Sequence, residues 1–162
     1  MRNEYPLNLL SPTEFEGMVV SICHQILGIA SSKFATGPDG GRDSRFNGTA
    51  ISFPSSAEAW SGVFVIQAKH TEKVDKSCSD NDFHGNKSSV IAQEIERLIK
   101  LKVSDPFQNY IIFTNRSMPA GAFTKITRDI QTSLNISNVH LLGNEDINQL
   151  LTDHPQIPNR LG

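Results

Sequence analysis

The chain reads as an α/β fold, and three observations predict that class. Stretches with apolar residues every three or four positions alternate with short, continuous apolar runs. The first pattern marks amphipathic helices, the second strands buried on both faces. Two such runs stand out: Val63, Phe64, Val65 and Ile66, and Tyr110, Ile111, Ile112 and Phe113. At 162 residues and 38% hydrophobic content, the chain can bury one core.

Taken in order, Ser11 caps a first helix, Pro12 occupies its first position and Glu14 completes a capping box. Phe15, Met18, Val19, Ile22 and Ile26 share one face, and Gly28 is a stop. Cys23 lies in this helix as a core residue. A strand is expected over 32–36, then a turn at Asp39, Gly40 and Gly41, because glycine reaches positive φ without steric cost. A short strand opens at Arg42 and Asp43. Residues 48–62 are rich in Ser, Pro and Gly, with Trp60 read as a packing residue.

The central strand then runs into Gln67, Ala68, Lys69 and His70. Residues 71–87 are polar and read as a mobile loop, either solvated or touching substrate through Lys73, Lys76 or Lys87. They form no EF-hand, since His84 and Ile91 occupy two ligand positions. Val90, Ile91, Ile95, Leu98 and Ile99 predict a second amphipathic helix, with Lys100 and Lys102 near its end and Asp105-Pro106 breaking it. A strand over 110–114, a helix over 119–134 built on Phe123, Ile126, Ile130 and Leu134, a strand over 138–142 and a helix over 145–151 complete the order. The reading is one domain over 1–154 and a linker over 155–162, marked by Pro155 and Pro158.

The formal charge is −2, from 17 acidic and 15 basic residues. That balance argues against a protein that coats nucleic acid without specificity. No basic-then-apolar leader opens the sequence and no apolar run reaches membrane length. Cys23 and Cys78 match no zinc spacing, and a reducing cytoplasm is the expected setting.

Side chains alternate along a strand, so Val63, Val65, Gln67 and Lys69 share one face. Gln67 and Lys69 emerge at its carboxyl end, where open α/β sheets place ligands. The plain alternative is a strand that turns polar as it meets solvent. Asp-Gly-Gly alone is most simply a hairpin turn. Glu16 also has two readings: a carboxylate at the margin of the core, looking into a cleft, or a solvated first-turn residue favoured by the helix dipole.

Together, Gly37, Asp39, Gly40, Gly41 and Asp43, followed by Gln67 and Lys69, spell G-x-D-G-G-x-D and Q-x-K. This resembles the PD-(D/E)XK nuclease superfamily and, within it, the Mrr-like restriction endonucleases. The likeness runs from TEFEG, where Glu16 matches the acidic residue of the first helix, through YIIFTNR to LLGNEDINQLL. Gln67 replaces the commoner acidic residue, a choice Mrr-like members share. The long segment between Asp43 and Gln67 suggests a hairpin insertion over 53–61.

The resemblance implies a restriction-endonuclease-like αβββαβ core, a central mixed sheet flanked by helices, which the order read above matches with one extra helix before the last strand and one after. It implies Mg²⁺-dependent hydrolysis of double-stranded DNA, with Mn²⁺ as a substitute, and Glu16, Asp43, Gln67 and Lys69 as the catalytic set. Asp43 would be the main metal ligand, joined by the Gln67 oxygen and the Ala68 carbonyl. Glu16 would bind a second metal or orient a metal-bound water, and Lys69 would hold the attacking water and contact the phosphate. Asp39 would shape the loop, and His70 would stand behind the site or merely follow it. A neutral amide at Gln67 predicts weak resting metal affinity.

The chain also resembles N-terminal effectors of prokaryotic antiviral STAND NTPases. That implies a homo-oligomer, dimer or tetramer, when active, with an NTPase and a sensor domain following in a full-length protein. The rival readings are a non-cleaving nucleic-acid-binding or oligomerisation module, and a nuclease acting on RNA or branched substrates.

Overall fold

The computed structural model describes residues 4–28, 35–36 and 42–159. The fold is α/β. Strands β2 (Arg42–Thr49), β3 (Ser61–Lys69), β4 (Asn109–Thr114) and β5 (Asn138–Leu142) form a mixed sheet in that spatial order, and the short β1 (Ala35–Thr36) pairs with the start of β2. β2 and β3 are antiparallel, whereas β3, β4 and β5 are parallel. Helices α1 (Pro12–Ile26), α2 (Val90–Ser104), α3 (Ala120–Leu134), α4 (Asn144–Asp153) and α5 (Gln156–Asn159) flank it.

Two cores lie on the two faces. Alternation along the strands divides them: Phe46, Phe64, Ile66, Ile111 and Phe113 join α1, α4 and α5, while Val65, Tyr110, Ile112 and Leu141 join α2 and α3. The parallel strands are buried on both sides, which is why they read as continuous apolar runs. All six residues of β4 are buried.

Helix α1 starts as expected. Ser11 Oγ accepts from the Glu14 backbone N–H, and the Glu14 carboxylate accepts from the Ser11 N–H. Its predicted apolar face is buried throughout, with Cys23 beside it. Helix α3 ends on Asn135 in the left-handed conformation, φ 53°. Trp60 packs edge-on against Phe53, 5.2 Å between ring centres, in agreement with a packing role.

Two expectations are corrected and a third is qualified. Residues 71–87 are mostly exposed, as the solvated reading has it, yet they are anchored at two buried points. Cys78 and Phe83 are fully buried, and Arg116, just beyond β4, holds both carboxylate oxygens of Asp82 at 3.0–3.1 Å with its guanidinium over Phe83. A buried forked cation needs acceptors, and this loop supplies them. The linker expected from 155 contains α5, whose Ile157 is buried in the α1 core. Ile99, assigned to the buried stripe of α2, is 46% exposed, and Glu94 is buried instead. The turn residues Gly37, Asp39, Gly40 and Gly41 lie outside the described residues.

Candidate active site

The site begins with a register. Ser44 lies opposite Ile66 and Arg45 opposite Val65 in the β2–β3 pair, so one further step sets Asp43 opposite Gln67 on the same face. Lys69 follows on that face. It is the α2 side of the sheet, where Val65 packs.

Helix α2 lays a carboxylate onto this group. Glu94, 2% exposed, accepts from Gln67 Nε2 at 3.1 Å and lies 3.5 Å from Lys69 Nζ. Arg97, one turn on, donates Nε to Glu94 at 2.8 Å and extends Nη1 to Asp43 Oδ2 at 3.4 Å. Asp43, Gln67, Lys69, Glu94 and Arg97 therefore form one network, with two carboxylates balanced by two cations. Gln67 joins it through its nitrogen, while its oxygen accepts from the Ala68 N–H at 3.0 Å. An amide between a carboxylate and an N–H can be oriented only this way.

Burial raises the Asp43 carboxyl above its ordinary value, with the neighbouring Glu94 adding to the rise. Arg97 and Arg45 oppose it. Tyr110 stands on β4 on the same face and is fully buried. Its hydroxyl has no hydrogen-bond partner among the described residues. Burial first, then Glu94, holds that hydroxyl well above its usual range. The interior beside the network thus has hydrogen-bonding capacity left over.

Of the residues expected to act together, Asp43, Gln67 and Lys69 meet. Glu16 is half-buried on α1, the helix that packs on the other face of the sheet. His70 also belongs to that side and not behind the network. Its Nε2 lies 2.8 Å from the Leu7 carbonyl oxygen and its ring packs 5.1 Å from Phe15. Asp39 lies outside the described residues. Glu94 and Arg97 were missed. The available signal was a glutamate three residues after Ile91 and four before Leu98, in phase with the apolar stripe of its own helix.

Among the described residues no three His, Cys, Asp or Glu side chains converge on a metal position. The donors that do meet are hard oxygens, from Asp43 and Glu94, already facing a shared cation in Arg97. With the unpartnered Tyr110 hydroxyl nearby, this donor set fits an oxygen-preferring divalent ion that keeps several waters. No family model, no curated protein and no solved structure matches the chain.

Proposed function

We propose that this chain is a metal-dependent endonuclease domain that hydrolyses phosphodiester bonds of double-stranded DNA, with the restriction-endonuclease-like topology of the PD-(D/E)XK superfamily and its Mrr-like branch. One observation carries the reading: Asp43, Gln67 and Lys69 come together on one face of paired strands, against a buried glutamate. Strand pairing sets Asp43 opposite Gln67, and the inward-facing Glu94 that meets their polar groups is what strand pairing alone does not require. The order of elements along the chain, helix, three strands, helix, strand, adds support.

Asp43, with Glu94 beside it, would hold Mg²⁺ or Mn²⁺, with the Ala68 carbonyl a candidate further ligand, while Glu16, on the helix of the other face, stays outside this set. The ion would neutralise the phosphate, lower the pKa of a bound water and stabilise the leaving oxygen. Lys69 is 38% exposed at its side chain, so its ammonium can leave Glu94 for a water or a phosphate oxygen. Gln67 fixes the orientation of Glu94 through its amide nitrogen. Action as the oligomeric effector of a larger prokaryotic defence protein in the cytoplasm, followed by an NTPase and a sensor, is part of this proposal.

The test is plasmid cleavage with Mg²⁺ or Mn²⁺ at high protein concentration. Nicking or linearisation by the parent, lost in Asp43→Ala and Lys69→Ala, is expected. One observation favours a second reading, a non-cleaving nucleic-acid-binding module: the network is already charge-balanced without a metal. DNA binding without cutting, even after enforced oligomerisation, would select it.

A further inference from the structure

We infer that Arg97 is the resident cation of this site and that a metal ion gains Asp43 only by displacing it. The inference rests on the metal-dependent reading above and adds a control element to it. The guanidinium is held unequally. Toward Glu94 it presents Nε at 2.8 Å and Nη2 beside it, both at the single oxygen Oε1 of a carboxylate with 1% side-chain exposure. Toward Asp43 it offers Nη1 alone, at 3.4 Å. Charge-assisted contacts of this kind close to about 2.7–2.9 Å when strong, so the Asp43 arm is the loose one.

The loose arm ends on the carboxylate that the metal needs. Asp43 is 12% exposed at its side chain, and burial already disfavours its charge. The guanidinium is the foremost influence opposing that burial. A divalent ion arriving at Asp43 would offer more charge than Arg97 does, but it must first break that contact. Arg97 can then keep Glu94 and turn its freed edge to another anion. A phosphate oxygen of the substrate is suited to that edge, because guanidinium matches phosphate geometry. Metal entry and phosphate arrival are thereby coupled: each makes room for the other.

Mn²⁺ and Mg²⁺ binding to the parent, Arg97→Gln and Arg97→Lys, measured by calorimetry without DNA, tests this. Arg97→Gln is expected to bind metal about two- to fivefold more tightly than the parent, the scale of one weak ion pair removed. Adding Asp43→Ala should abolish the gain. Thermal melting supplies an independent readout: Arg97→Gln should melt lower than the parent in EDTA and recover with Mn²⁺ at a concentration that leaves the parent unchanged. If Arg97→Gln fails to fold in EDTA, Arg97→Lys, which keeps the charge on a shorter reach, should bind metal with intermediate affinity. Unchanged or weaker metal binding in the folded variants overturns the inference, whatever the parent does to DNA. Conversely, tighter metal binding with no cleavage by the parent would uphold the inference and sink the nuclease reading.

Discussion

Removing the Glu94 carboxylate should cost more than any other single change in the network, and the structure indicates how the cost divides. In Glu94→Ala, Arg97 loses its nearest carboxylate while remaining 12% exposed at its side chain. Breaking a buried pair from one side costs about 3–5 kcal/mol. Here Arg97 keeps its contact to Asp43, so the lower end applies. Gln67, 2% exposed, loses its acceptor, which adds about 1 kcal/mol. Lys69, 38% exposed, turns to water, and its share is below about 1 kcal/mol. A loss of about 4–5 kcal/mol follows, about 8–20 °C in Tm for a domain of this size. Urea unfolding at neutral pH, with unchanged m-value, measures it. Double-mutant cycles should place the Glu94–Arg97 coupling well above that of Glu94–Lys69. A loss under about 1 kcal/mol, or the reverse order of couplings, would refute the claim that Glu94 holds the network together.

Two further outcomes concern the loop over 71–89. The hydrogen bonds from Arg116 hold the Asp82 carboxyl at about 2, below its ordinary 3.8. The folded form therefore binds that proton less readily than the unfolded chain does. The stability this provides is complete above the ordinary value and is lost as pH falls from 3.8 towards about 2. Arg116→Ala should return the Asp82 midpoint, followed by carboxyl NMR, towards the ordinary value, and an unmoved midpoint would refute the pairing. Phe83→Ala should cost about 3–5 kcal/mol in urea unfolding, as for any large ring removed from a closed core. A change near zero would restore the picture of a solvated loop.

The sequence displayed the framework of the site better than its centre. The strand carrying Gln67 and Lys69 was visible because a fully buried parallel strand leaves an unbroken apolar run, and its polar end interrupts that run. The capping box of α1 was equally visible, since its hydrogen bonds join residues three apart. Glu94 was hidden by its helix. Amphipathic patterning expects glutamates to face water, and only the facing residues on β3 explain an inward one. The same cause hid Arg97, whose partners lie on another strand and on its own helix. Ile99 misled for the complementary reason: it fits the helical period but stays 46% exposed. Arg116 could be recognised only after the fold had brought the loop over 71–89 to the end of β4.

The position of α5 also governs how this domain can be attached to anything else. Tyr5, Leu7 and Leu10 from one terminal segment and Pro158 from the other line the same apolar hollow, together with Met18 and Leu151. The two ends of the described fold are thus neighbours, both on the α1 side of the sheet, while Lys69 and Glu94 occupy the opposite side. A circularly permuted chain that joins these ends with a short bridge would keep every strand pairing intact. A fusion partner at either end starts out on the α1 side of the sheet, away from Asp43, Lys69 and Glu94.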